Sequence, residues 1–115
     1  MDILINQRKG LTEFVLKGKF NLESAEELEN LILKKIDEIQ SSQVACSFEE
    51  ITFLDSSGLG SLIKILNYLK ERRRELIIVG VTPKIRNIFQ LSRLEKFFVF
   101  IDNAVFQKEY PLLEK

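Results

Sequence analysis

The chain has 115 residues, enough for a domain that buries roughly two-thirds of the surface its unfolded form would expose, so neither a disulfide nor a metal is required to hold it together. Its 17 basic residues balance 17 acidic ones, which removes any whole-molecule field for holding nucleic acid or an anionic membrane. Histidine is absent and Cys46 is the only cysteine, which excludes Ser-His and Cys-His nucleophilic machinery, histidine-ligated metal and an intramolecular disulfide. Neither Gly-x-Ser-x-Gly nor the Walker Gly-Lys-Ser/Thr sequence occurs. The N-terminus has no basic region leading into a long apolar stretch, and no later apolar run approaches membrane-spanning length. The expectation is a soluble, cytoplasmic, non-catalytic protein without cofactor or metal, folded as a single domain over residues 1–115.

In chain order, Asp2 to Gln7 and Leu11 to Lys17 are short apolar-rich runs separated by Arg8-Lys9-Gly10, a spacing that predicts an antiparallel hairpin with Gly10 at positive φ. From Asn21 to Gln40 the chain is acidic first and basic later, with Ser24 and Glu27 at capping-box spacing and apolar residues at Leu28, Leu31, Ile32, Ile36 and Ile39. This predicts the first helix. Val44 to Phe48 is brief, apolar and bounded by polar pairs, as a strand buried on both faces would be, and Cys46 within it reads as a small buried hydrophobe. A second helix follows, to about Arg73. Leu76 to Val79 predicts a further buried strand, and Thr82-Pro83 an N-cap and first turn for a short helix to about Leu91. Phe97 to Ile101 predicts the last strand, with Asp102 or Asn103 capping a last helix through Tyr110. The order ββαβαβαβα predicts an α/β fold, with a mostly parallel sheet of about five strands and about four helices.

The second helix opens on the most informative stretch. Asp55, Ser56 and Ser57 are all good N-cap types, and Leu59, Leu62, Ile63, Leu66 and Leu69 follow at the spacing of one helix face. Two hydroxyls and a carboxylate therefore stand at a helix N-terminus, where free N–H groups and the macrodipole favour an added anion. Gly58 and Gly60 leave room for another backbone or a phosphate to approach. Extended backwards, the helix phase places Ser57 with Ser61 and Lys64 on the solvent side and Ser56 nearer the core. That phase does not bind at a cap, so both serines stay candidates.

Phe53-Leu54-Asp55-Ser56-Ser57-Gly58-Leu59-Gly60 resembles the signature of the STAS domain, specifically that of the bacterial anti-sigma-factor antagonists. Gly18-Lys19-Phe20-Asn21 resembles that family's Gly-x-Leu-Asp turn, and Thr82 to Arg86 followed by Leu91-Ser92-Arg93-Leu94 resembles its third helix. The resemblance implies a partner-switching protein. Its unphosphorylated form would bind an anti-sigma factor that is also a serine kinase and so release a sigma factor; the kinase would phosphorylate the first serine after the aspartate, Ser56, with Ser57 the second choice, and a phosphatase would reset it. Implied contact residues are Phe20, Asn21, Asp55, Ser56, Ser57, Gly58 and Leu59. Asn21 stands where the family commonly has aspartate, and Arg93 where it often has glycine. Two alternatives share the fold: a constitutive scaffold subunit of a stress-signalling or transporter complex, and a nucleotide-binding module. The oligomeric state is open between a monomer and a weak dimer. The run Lys70-Glu71-Arg72-Arg73-Arg74-Glu75 reads as a solvated helix end without interleaved aromatics, so no direct nucleic-acid contact is expected. Phe97, Phe98 and Phe100 read as core, an exposed member being available for an interface.

Overall fold

The structure, a computed structural model, describes residues 1–113; residues 114 and 115 of the expected domain lie outside the described residues. Strand β1 (Asp2–Arg8) turns through Lys9 and Gly10, the latter at φ 72°, into β2 (Leu11–Phe20), and the two pair antiparallel. Helix α1 (Leu22–Lys35) leads through a short 3-10 turn to β3 (Gln43–Leu54). Helix α2 (Ser56–Glu71), β4 (Glu75–Val79), α3 (Pro83–Leu91), β5 (Val99–Ile101) and α4 (Asn103–Glu109) complete the chain. The five strands lie side by side in sequence order, and β2 through β5 are mutually parallel.

That order fixes where the helices go. Parallel connections are right-handed, so three successive ones without a reversal deposit α1, α2 and α3 on the same face. The main core forms there, from Phe14, Phe20, Leu28, Phe48, Leu62 and Phe89 among others. The opposite face carries only α4, whose Phe106 packs on Leu11, Ala45, Ile77 and Val79. A buried polar cluster fastens it. The Arg8 Nε donates to Glu13 at 2.6 Å, and the same guanidinium donates to the Tyr110 carbonyl and to Gln107 Oε1. Ser47 Oγ donates to the other oxygen of Glu13 at 2.5 Å, so every guanidinium nitrogen and both carboxylate oxygens have a hydrogen-bond partner away from water.

Several boundaries differ from the expectation, each for a local reason. The third strand runs six residues beyond Phe48, because two bulges opposite Leu16 and after Gly18 break its alternation and disguise the extension. The second strand likewise continues to Phe20. Helix α1 is therefore capped by Asn21, whose Oδ1 accepts from the Ser24 backbone while Ser24 Oγ accepts from the Asn21 N–H. The capping box is real but sits three residues earlier than the expected Ser24–Glu27 pair. The last strand is shortened to Val99–Ile101 because Glu95–Phe97 forms a 3-10 turn, and Phe97 stands 61% exposed instead of joining the core with Phe98.

Candidate functional site

The start of α2 is assembled by two paired strand ends. Phe20 and Leu54 are partners in the β2–β3 ladder, so Asn21 and Asp55 leave the sheet side by side, from strands about 4.8 Å apart. Each then caps a helix. Asp55 Oδ1 accepts from the Gly58 N–H at 2.7 Å, as Asn21 Oδ1 does from Ser24 in α1. The N-termini of α1 and α2 thus emerge together at the carboxyl end of the sheet, and both dipoles present their positive ends there.

This geometry places Ser56 and Ser57 at the first two positions of α2. Both are exposed, and neither hydroxyl has a hydrogen-bond partner among the described residues. The helix-phase argument that set Ser56 toward the core fails, because the first turn projects beyond the layer that buries Gly58 and Leu59. Ser61, expected on the solvent side, is in fact only 4% exposed. Asp55 and Asn21 are half-buried, engaged as caps but open at one side.

Three of the expected contact residues support the site from beneath. The Phe20 ring is completely buried, 5.4 Å from the ring of Phe48, so its side chain offers no contact surface. Gly58 and Leu59 are also buried. Gly58 is where α2 presses on β2: a Cβ built there would stand 2.2 Å from the Phe20 carbonyl oxygen. Gly60 has nothing within 4 Å of such a Cβ, so the close approach expected at both glycines belongs to Gly58 alone.

One residue escaped the sequence reading. Phe53, three positions before Ser56, is 43% exposed although it belongs to a strand whose other large apolar side chains are buried. The second bulge turns it outward beside Lys19, its ladder partner. The available signal was the interval Phe48, Ile51, Leu54, which breaks the strand period of two and leaves Phe53 off the buried face.

No cluster of three or more acidic, cysteine or histidine side chains able to hold a metal occurs among the described residues, and no described helix is long and apolar enough to cross a membrane. The chain matches the STAS domain family over residues 2–109, and it belongs to that family. It is 22% identical over 105 residues to the anti-sigma F factor antagonist of Paenibacillus polymyxa, covering 91% of this chain and 90% of that one. To the anti-sigma-B factor antagonist of Staphylococcus aureus it is 26% identical over 83 residues, covering 72% and 76%. Among solved structures, the anti-sigma factor antagonist SpoIIAA in its unphosphorylated form superposes with a TM-score of 0.73 at 20% identity, covering 94% of this chain and 96% of that one. The phosphorylated form of SpoIIAA, a Bacillus cell fate determinant, gives 0.68 at 19%, covering 94% and 98%. These likenesses confirm the α/β architecture of five strands and four helices.

Proposed function

We propose that the protein is an anti-sigma-factor antagonist whose unphosphorylated form binds an anti-sigma factor with serine kinase activity, and that phosphorylation of Ser56 ends the complex. The observation that carries this reading is the pair of exposed hydroxyls without hydrogen-bond partners at the Asp55-capped start of α2. A serine used only as a cap would have its oxygen on a backbone N–H; here Asp55 does that work and leaves both serines free. Support comes also from relatives named as anti-sigma factor antagonists and from the same fold in a protein solved with and without phosphate.

The physics of the switch follows from position. A phosphate on Ser56 adds roughly −1.5 to −2 charges beside the half-buried Asp55. The positive ends of α1 and α2 offset this within the protein, by at most about 1 kcal/mol for an exposed anion, so the fold survives. A docked partner surface that is acidic or packed dry there meets repulsion and desolvation of several kcal/mol, which lowers affinity by orders of magnitude. Asn21 keeps the capping role that an aspartate would have while removing one negative charge from the site. The protein acts as a kinase substrate and a binding module in a single cytoplasmic domain, not as a catalyst, and a phosphatase returns it to the binding form.

The test is capture from host-cell lysate on wild type, Ser56→Ala, Ser57→Ala and Ser56→Asp baits, with phosphosites mapped by mass spectrometry after incubation with ATP. Wild type and both alanine variants should retain an ATP-binding anti-sigma kinase and Ser56→Asp should lose most of it; of the two alanine variants, Ser56→Ala should abolish labelling and Ser57→Ala should keep it. Identical partners on all four baits, with no phosphate on α2, would refute the switch and favour a constitutive scaffold role.

A further inference from the structure

The pole opposite Ser56 carries a surface that the switch does not use. The same topology that gathers helix N-termini at the carboxyl ends of the strands gathers C-termini at their amino ends. There Ser42, Gln43, Glu75 and Leu76 at the starts of β3 and β4 face the end of α2 across a groove of about 590 Å3. Its apolar part is Leu66 and Leu76 below and Phe97 and Val99 at the rim, the last two 61% and 43% exposed. Its polar rim is cationic, formed by Lys70, Arg73 and Arg74. The one carboxylate in the lining, Glu75, accepts from Gln43 Nε2 at 3.0 Å and has no ion pair with these cations among the described residues.

A second observation comes from the backbone. Among the described residues only two non-glycine positions have positive φ, and both are arginines ending helices at this pole: Arg73 at 59° after α2 and Arg93 at 58° after α3. In each case the following N–H reaches back to the carbonyl five residues earlier, Arg74 to Leu69 and Leu94 to Phe89, which is the helix-ending motif that glycine serves best. An L-residue is strained at such a φ, and strain retained where glycine would be easier directs attention to the side chain. Arg74 adds an unsaturated group. It donates to the Ile39 and Arg72 carbonyls, but its Nε–H finds no acceptor among the described residues.

We propose that this groove docks an acidic segment of a partner protein, with one or two apolar side chains against Phe97 and Val99 and carboxylates against Lys70 and Arg73. The apolar floor favours a peptide over a nucleic-acid backbone, and the cation-rich rim sets the sign of its charge. The groove and Ser56 stand toward opposite ends of α2, whose 16 residues span about 24 Å, so a short segment in the groove leaves Ser56 open.

The test is an NMR titration of the full chain, labelled with nitrogen-15, with three probes: a dodecapeptide alternating Asp or Glu with Leu or Phe, the same peptide with Ala at every apolar position, and a thymidine dodecamer. The first peptide should shift the amides of Lys70, Arg73, Phe97 and Val99, and the alanine peptide should bind at least about fivefold more weakly. Phe97→Ala should weaken the first peptide comparably. Arg73→Gly is the decisive variant: it relieves the left-handed φ, so the melting temperature should hold or rise while peptide affinity falls about two- to fivefold. Unfolding therefore cannot imitate the result. Equal binding of both peptides, shifts outside the groove, tighter binding of the oligonucleotide, or full affinity in Arg73→Gly would each overturn the assignment. None of these readouts involves Ser56, so the outcome is separate from that of the switch.

Discussion

Replacing Gly58 with alanine tests how the site is built. The added Cβ would lie 2.2 Å from the Phe20 carbonyl oxygen, with the carbonyl carbon and the ring of Phe20 both at 3.0 Å. Ordinary contact requires the first turn of α2 and the end of β2 to separate by about 1 Å, a movement that backbone on both sides resists. Overpacking of this kind costs about 1–3 kcal/mol, and loosening the Asp55 cap adds about 1 kcal/mol. The better helix propensity of alanine returns about 1 kcal/mol, leaving a net loss of about 1–3 kcal/mol. Gly60 supplies the internal control. Two residues on, exposed and with open space at its Cβ, Gly60→Ala should gain about 0.5–1 kcal/mol. Thermal unfolding followed by circular dichroism should place the melting temperature of Gly58→Ala about 5–15 °C below wild type and that of Gly60→Ala about 2–5 °C above it. If Gly58→Ala melts with wild type, or if both variants move together, the contact between α2 and β2 is not what positions the serines.

Two other perturbations probe the rest of the molecule. Arg8→Ala strands Glu13, 2% exposed, without its counter-charge, and should cost about 3–5 kcal/mol in urea unfolding; the Arg8→Met, Glu13→Leu double variant should recover most of that loss. Equal losses in both would mean that the ion pair itself, not the orphaned charge, sets the cost. Burial, with a smaller contribution from the charge of Glu13, pushes the Cys46 thiol up to about 12. The native thiol should therefore resist iodoacetamide at pH 8, its labelling following the unfolding equilibrium. As pH rises above the ordinary thiol value near 9, the unfolded chain loses this proton first, so the contribution is complete below about 9 and disappears toward 12. Replacing Cys46 with alanine should flatten the alkaline fall in stability measured between those values. An unchanged slope would assign that fall to other groups.

What the sequence made legible was local chemistry with a single reading. Gly10 between two strand runs, Thr82-Pro83 opening a helix, and Asp55 before an apolar stripe all appear as expected. What it concealed were places where tertiary contacts override a local pattern. Val44, Cys46 and Phe48 keep strand spacing, but Ile51 and Leu54 follow at intervals of three because each bulge against β2 inserts a residue. A bulge needs its partner strand to be recognised. The same hidden extension carried β2 to Phe20, buried its ring and turned Phe53 outward. Periodicity left Ser56 and Ser57 undecided for a related reason: helical phase describes residues that already have helical neighbours on both sides, and the first position of α2 has them on one.

The topology also explains why one small domain presents two chemically opposite ends. Parallel strands in sequence order force every helix to run back against them, so capping side chains and free N–H groups collect at one pole while C-terminal carbonyls collect at the other. Carbonyl ends attract cations, which accounts for Lys34 and Lys35 in the last turn of α1 and Lys70 in that of α2. It does not account for the choice of Arg73 and Arg93 at positions where glycine would fit the backbone better, and of these two Arg73 lines the groove. Between the poles lies β3, its Val44–Phe48 segment wholly buried in the close-packed core. Coupling over such a distance requires an element with two states that both sites bias. A phosphate placed on Ser56 should therefore act on what docks beside it and leave the affinity of the groove for the acidic peptide unchanged, a prediction that the same titration on phosphorylated protein checks.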